Sequence, residues 1–352
     1  MPNINQLGHL NAIRGDEPWL AGGGAVAFTY THRAGYIKRS RRRLKPPADV
    51  ELGVLYAAGG SQCLITDQPD KLLGLLDQMD IQDLAQALET QLLDLSAPLP
   101  LTPVHIPKPW GEELWYTGIE ERGVSLVGKT PIAWLLDMFG ALLAPSHLSS
   151  PPLLLKILAP HPTPNLGDLY FELHKEKVEV YVVTGLDKDA WPDGLGAIRY
   201  GFNPELVAAS ESDDAFRQAY LDKVHLYETV RREVDAQLDR VRLARGIADD
   251  TVLPPDEYAA MLQQEVPDAL RQAEAEARAA MYEYTNLAPL ALGDVVQVQP
   301  GVPHSLQHGI RVVEFQTPHY ERQILSFGQK ALTQDGWDTE DALQQALLNA
   351  ES

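Results

Sequence analysis

Glu172, His174 and Glu179 fall within the nine residues FELHKEKVE at 171–179, just ahead of the apolar run VYVV. Carboxylate oxygens and imidazole nitrogens in this mix suit a divalent ion such as Zn²⁺, Mn²⁺ or Fe²⁺. Side chains alternate faces along a strand, so Glu172 and His174 point the same way. If 175–178 turns the chain back into VEVYVV, Glu179 returns to that same inner face. Lys175, Glu176 and Lys177 lie between them, and a charged stretch of this kind also reads as a solvated hairpin holding nothing. A second stretch, LGDVVQVQPGVPHSLQHG at 292–309, opens on the turn pair Gly293-Asp294, runs on as a strand, and turns at Pro300-Gly301 before His304. A histidine placed after a tight turn is where a barrel can aim a fourth ligand at a site built by an earlier hairpin. His308 and His319 lack ligand spacing and read as surface or hydrogen-bonded histidines. Trp110 and Trp115 offer aromatic faces on which a ligand can stack, and equally a packing role.

The elements that must position these groups change character along the chain. Residues 19–32 carry a triple glycine, Gly22 to Gly24, followed by alternating apolar positions, which predicts a strand and not a phosphate loop. VELGVLYAAGG at 50–60 predicts a strand, and DKLLGLLDQM and IQDLAQALETQLLDL predict amphipathic helices. SAPLPLTPVHIPKP at 96–109 has five prolines and predicts an extended linker, which divides an N-terminal α/β region, 1–100, from a domain over 101–352. A helix over PIAWLLDMFGALLA and a strand over LLLKIL follow, then short strands over 166–200. Tyr220, Val224, Tyr227, Val234, Leu238 and Val241 fall on one helical stripe, and Leu262, Val266, Leu270, Ala273, Ala277 and Tyr284 on another. Two long helices folded into a hairpin account for this, inserted at about 205–284. Strand character resumes at DVVQVQP and GIRVVEFQ, so the whole reads as a mixed α+β chain with a β-barrel interrupted by a helical hairpin.

Composition bounds the function. With 29 Lys and Arg against 49 Asp and Glu the net charge is −20, which opposes binding to nucleic acid or an anionic membrane. The run HRAGYIKRSRRRLK at 32–45 concentrates Arg33, Lys38, Arg39, Arg41, Arg42, Arg43 and Lys45; it is an anion or RNA contact, or a solvated segment offsetting the acidic remainder. One cysteine, Cys63, excludes an intrachain disulfide and a thiolate cluster. With no signal-peptide pattern and no apolar run near the ~20 residues of a membrane span, the expected location is cytoplasmic.

Taken together, the two ligand-bearing stretches resemble the paired motifs of the cupin superfamily. Gly167, Glu172, His174, Glu179 and Gly185 match the first; Gly293, Gln299, Gly301 and His304 match the second, with glutamine in place of a proline. KPWGEELWYTG at 108–118, PLLLKIL at 152–158, EKVEVYVV at 176–183, PGVPHSLQHG and EFQTPHYERQI occur in the order found in type I mannose-6-phosphate isomerases, over roughly 105–200 and 285–330. The resemblance implies a jelly-roll-like cupin barrel and a metal-dependent aldose–ketose isomerase acting on a sugar or sugar phosphate. It implies one divalent ion, zinc in the first place with manganese or iron as alternatives, held by Glu172, His174, Glu179 and His304. Arg322 would be the active-site arginine, Lys156 and Lys177 would line the pocket, and the proton-transferring base would be Lys156, Lys177 or Glu314. The family has Gln-x-His-Pro where this chain has Glu172-Leu-His174-Lys175, and a phosphate-contacting serine where this chain has Tyr170. Those departures leave room for a metallocupin that binds a sugar-like ligand without turning it over, or for another cupin reaction such as an iron-dependent oxygenation. Self-association through the helical hairpin is a further expectation.

Overall fold

The computed structural model describes residues 10–14, 26–32, 38–39, 49–57, 61–117, 119–120, 123–136, 154–317, 319–332 and 334–349. The triple glycine and most of the basic run at 32–45, including Arg33, Arg41, Arg42, Arg43 and Lys45, lie outside the described residues, as does the end of the helix expected over 131–144. Among the described residues no helix is long and apolar enough to cross a membrane. The chain forms two compact units: residues 1–104 with 115–155, and residues 105–114 with 156–352.

In the first unit, β1 (Leu10–Arg14), β2 (Val26–His32), β3 (Val50–Ala57), β4 (Gln62–Thr66) and β5 (Leu92–Asp94) form an antiparallel sheet in that spatial order. Strand β3 is apolar at successive positions because both faces are covered. Val54 and Leu52 join Phe28, Cys63 and Ile65 on one side, while Leu55 joins Leu64, Leu72 and Leu84 on the other. Leu72 and Leu84 belong to α1 (Pro69–Leu75) and α2 (Ile81–Ala87), the latter capped by the Asp80 carboxylate. The second expected helix ends early, and Leu92–Asp94 pairs with β4 instead. Leu126–Val127 pairs with Leu101–Thr102, and Ile132 and Leu135 enter the same core, which keeps this stretch with the first unit.

The second unit holds two antiparallel sheets around one core. The six-stranded sheet runs β13 (Val295–Val298), β10 (Glu179–Leu186), β15 (Ile310–Gln316), β8 (Leu154–Pro160), β7 (Gly111–Trp115) and β6 (Val104–Lys108). The five-stranded sheet runs β12 (Thr285–Ala291), β11 (Leu195–Phe202), β14 (His304–Leu306), β9 (Phe171–Leu173) and β16 (Gln323–Ser326). Tyr181, Val183, Leu158 and Val312 of the first meet Ile198, Tyr200, Leu306 and Ile324 of the second. The two facing antiparallel sheets are consistent with the jelly-roll-like arrangement expected from the sequence, but closure is not seen: among the described residues no strand pairing joins an edge of one sheet to an edge of the other.

The insertion packs on the outer face of the five-stranded sheet. Helix α3 (Asp213–Ala244) starts at Ser212, whose hydroxyl accepts from the Ala215 amide, with Asp213 and Asp214 in its first turn. Its buried stripe is Phe216, Tyr220, Val224, Tyr227, Val234 and Leu238, and the first four meet Phe171, Leu173 and Leu325 of the sheet. The second expected helix is broken into α4 (Pro255–Glu265) and α5 (Asp268–Tyr282): Pro267 has no amide hydrogen to continue α4, and Val266 is extended. The stripe of α3 also contains a charge, Arg231. It is 2% exposed and bound to Asp235 at 2.8 Å, with Glu274 of α5 at 3.8 Å and the Gly328 carbonyl accepting at 3.2 Å. Removing one partner of such a group strands the others without compensation, so Arg231→Ala is expected to lower stability by about 3–5 kcal/mol in urea denaturation. A loss under about 0.5 kcal/mol would mean that the cluster is solvated.

Candidate metal and substrate site

Phe171 and Leu173 point outward to α3, so alternation turns Glu172 inward, directly opposite His304 on the neighbouring strand. Glu179 arrives by another route than the expected hairpin. Strands β9 and β10 do not pair; they belong to different sheets, and residues 174–178 carry the chain from one layer to the other. The crossing is held by Glu321. Its carboxylate accepts from the backbone amides of Lys175, Glu176 and Lys177 at 3.0, 2.8 and 2.9 Å, a nest of N–H groups gripping one anion. Gly301, at φ +81°, supplies the left-handed turn before His304, and its amide donates to the His174 carbonyl at 2.7 Å. The two motif stretches are thus tied by backbone as well as by side chains.

His174 and His304 are 0% and 2% exposed. The Nδ1 of His174 lies 3.0 Å from the Glu321 carbonyl, and the Nδ1 of His304 lies 3.1 Å from the Val302 carbonyl. A carbonyl only accepts, so each Nδ1 carries the proton and a neutral ring keeps its lone pair on Nε2. Those lone pairs face carboxylates. His304 Nε2 is 3.1 Å from Glu179 Oε2, and His174 Nε2 is 3.3 Å from Glu179 Oε1 and 3.8 Å from Glu172 Oε1. Glu179 also accepts from Lys177 and Tyr181 and stands outside the set of three whose ligand atoms all approach one another, whereas the facing lone pairs of His174 and Glu172 call for a cation or an added proton between them. The spacing fits a cation, because atoms each about 2.0–2.2 Å from one tetrahedral ion stand roughly 3.3–3.5 Å apart. Glu172, His174 and His304 offer ligand atoms all within 4.8 Å of one another. The Nε2 of His174 and the Oε2 of Glu172 are buried without a hydrogen-bond partner, as donor atoms kept for an ion would be.

The surroundings set the charge states. Burial alone would raise the Glu179 pKa, but the Lys177 ammonium at 2.6 Å and the two imidazoles hold it well below the usual carboxylate range. The Tyr181 hydroxyl also donates to Glu179, at 2.7 Å, and burial together with that charge keeps the phenol protonated. Burial, with the Lys177 charge, lowers the His174 pKa and keeps the ring neutral. For His304 burial acts in the same direction, and the Glu179 hydrogen bond outweighs it and raises the pKa.

Arg322 and the lysines sit beside this centre. Arg322 lies 3.7 Å from Glu172 Oε2, with its guanidinium 4.5 Å from the Tyr170 ring centroid. Lys156 pairs with Glu314 at 3.3 Å, and Glu314 is 2% exposed; burial pushes its pKa up to about 7 against the opposing Lys156 charge. Glu113, which sequence reasoning did not single out, is 8% exposed, pairs with Lys108 at 3.3 Å, and acts electrostatically on Arg322, Tyr170 and Glu314. Its only signal in the sequence is a carboxylate at a position that alternation buries in GEELW, between Trp110 and Trp115. Both tryptophans are buried, at 1% and 3%. His308 is bound to Asp168 at 2.7 Å and His319 to Thr317 at 3.1 Å, away from the convergent set.

No protein-family model matches the chain, and no curated protein matches it by sequence. Among solved structures it is similar to the mannose 6-phosphate isomerase of Bacillus subtilis, at 14% identity over 71% of this chain and 69% of that one, with a TM-score of 0.42. It is similar to a zinc-bound mannose 6-phosphate isomerase, at 11% identity over 71% and 74%, TM-score 0.40, and to the apo form from Salmonella typhimurium, at 11% over the same shares, TM-score 0.39.

The raised Glu314 pKa gives a pH signature. The folded protein holds this proton up to about pH 7, whereas the unfolded chain releases it near 4.5. The group therefore favours the folded state fully below about 4.5, and that contribution is lost as pH rises through about 7. Glu314→Gln is expected to gain stability relative to the parent between pH 5 and 8, by up to ~3 kcal/mol, in melting curves taken across that range. A difference that does not change with pH would place the carboxyl in water.

Proposed function

We propose that the chain is a metal-dependent aldose–ketose isomerase of the cupin type, similar in chemistry to the mannose-6-phosphate isomerases. The observation that supports this reading is that Glu172, His174 and His304 bring ligand atoms within 4.8 Å of one another, with the Glu179 carboxylate lying against both imidazoles. These four would hold one divalent ion, zinc in the first place. When bound, the ion supplies positive charge for the negative charge that develops on the substrate oxygens during isomerisation.

The reaction moves one proton between adjacent carbons of the sugar. Of the three candidate bases, Glu314 is favoured: it is a buried carboxyl with a pKa near the working pH, which lets it both take and return a proton. Lys156, 3.3 Å away, stabilises the ionised form that accepts the proton. Lys177 is committed to Glu179 at 2.6 Å and acts as a positioning residue for that carboxylate. Arg322 lies against both Glu172 and Tyr170 and orients that carboxylate. Its engagement with Glu172 also favours a second reading, a metallocupin that binds a sugar without converting it.

The purified protein is expected to contain about one equivalent of divalent metal by elemental analysis, lost in His174→Ala and His304→Ala. The metal-loaded protein should interconvert members of an aldose and ketose panel, and Glu314→Gln should lower kcat by roughly 10²- to 10⁴-fold with metal content retained. Absence of stoichiometric metal, together with activity unaffected by Glu172→Ala or His304→Ala, would overturn the proposal. Metal and sugar binding without turnover would select the second reading.

A further inference from the structure

Helices α3, α4 and α5, with residues 163–166 and the pair Gly328-Gln329, enclose a cavity of about 270 Å³. None of its lining residues belongs to the candidate metal and substrate site. Part of the wall is apolar, from Val234 of α3, Ala259 and Leu262 of α4 and Ala275 of α5. Another part is cationic: Arg231, Arg271 and Arg278 line the cavity, with Glu274 as the one carboxylate among the lining residues.

These charges do not balance. Arg231 is committed to Asp235 at 2.8 Å, the Gly328 carbonyl at 3.2 Å and the Tyr258 hydroxyl at 3.3 Å, and Asp235 also faces Arg232 at 3.7 Å. Glu274 accepts from the Tyr227 hydroxyl at 2.9 Å and from Arg278 at 3.0 Å. Arg278 reaches both Glu274 oxygens through Nη1 alone, and among the described residues its Nε and Nη2 make no hydrogen bond. Arg271 engages Gln263 and Asp268, and its Nε is buried without a partner. Asp268 is 95% exposed, so water screens its charge. The carboxylates held away from water are Asp235 and Glu274, set against three arginines. The wall is short of one negative charge, in a chain whose net charge is −20.

We infer that this cavity binds a small organic monoanion, a carboxylate whose head meets Arg278 and Arg271 and whose apolar body lies against Val234, Ala259, Leu262 and Ala275. The inference stands apart from the proposed isomerase centre and does not depend on it. A carboxylate matches the planar fork of a guanidinium and supplies the one charge the wall lacks. A phosphate dianion overshoots that charge beside Glu274, a neutral molecule leaves it unmet, and an ammonium is repelled by it. The volume equals that of about nine waters at ~30 Å³ each, enough for a single ring bearing a carboxylate and too little for a nucleotide.

The test is calorimetric titration of the full chain at neutral pH, in EDTA so that no carboxylate is read at the metal centre. Benzoate and phenylacetate are the probes, with phenylacetamide and phenethylammonium as the neutral and cationic counterparts. One phenylacetate per chain is expected, with a Kd below about 1 mM, and phenylacetamide at least tenfold weaker. Arg278→Gln keeps a polar side chain and removes the charge, and should weaken phenylacetate about tenfold or more. Arg271→Gln, at a more exposed position, is expected to do the same, so the outcome does not hang on one variant folding. Ala259→Leu fills the apolar end and should abolish binding in a protein that melts like the parent. Binding of neither carboxylate below about 1 mM, equal binding of the amide, or an affinity unmoved by the arginine variants and by Ala259→Leu would overturn the inference.

Discussion

The second unit is organised around a carboxylate held ionised out of water. Glu179 is 2% exposed, and the charge on it is sustained by Lys177 and His174 of the crossing, Tyr181 of the six-stranded sheet and His304 of the five-stranded sheet. A buried anion so surrounded fixes every group that touches it, because withdrawing any one leaves a charge without compensation. The layers of the sandwich are therefore bound by an electrostatic knot as well as by apolar contact. That explains why the crossing from β9 to β10 is short and tightly held. Glu321 fastens three successive amides of the crossing, and the same residue's carbonyl fixes the His174 tautomer.

The helical insertion serves that knot from the far side of the sheet. Strand β9 has only three residues, too few to hold its place by backbone pairing alone. Phe171 and Leu173 are buried under Phe216, Tyr220 and Val224, and each such side chain contributes about 1.5–3 kcal/mol by leaving water. Because side chains alternate, packing these two outward is also what holds Glu172 inward. The insertion is thus part of the candidate site's support, and the buried Arg231 cluster that orders α3 against α5 acts on the strand carrying Glu172 through packing.

Much of this was legible in the sequence where periodicity is strong. The stripe from Tyr220 to Leu238 gave α3, and alternation in FEL placed Glu172 opposite to Phe171 and Leu173. The turn at Pro300-Gly301 marked the approach to His304. Other features had no local signal. The passage of 174–178 from one sheet to the other depends on Glu321, which is distant in sequence and chemically unremarkable there. A helical stripe does not show that Pro267 divides the second helix, since the apolar spacing runs on across the break. The gap in the α3 stripe at Arg231 is filled by partners 4 and 43 residues away, Asp235 and Glu274. Glu113 and Lys108 gain their meaning only when β7 and β6 join the far edge of a sheet whose other members lie beyond residue 154.

Glu172 is the residue on which the proposed chemistry turns. As a ligand its carboxylate would add a negative charge where an amide would add none, which by itself would weaken an ion's pull on substrate oxygens and favour manganese or iron over zinc. In this structure the charge does not act alone, since Arg322 lies 3.7 Å from it and packs on Tyr170. Seen from an ion held at the proposed site, the pair would carry little net charge, which would restore part of that ion's electrophilic character. The carboxylate of Glu172 and the position of Arg322 therefore act together: under the proposed reading the arginine is the counter-charge of a metal ligand, and its guanidinium also packs on Tyr170.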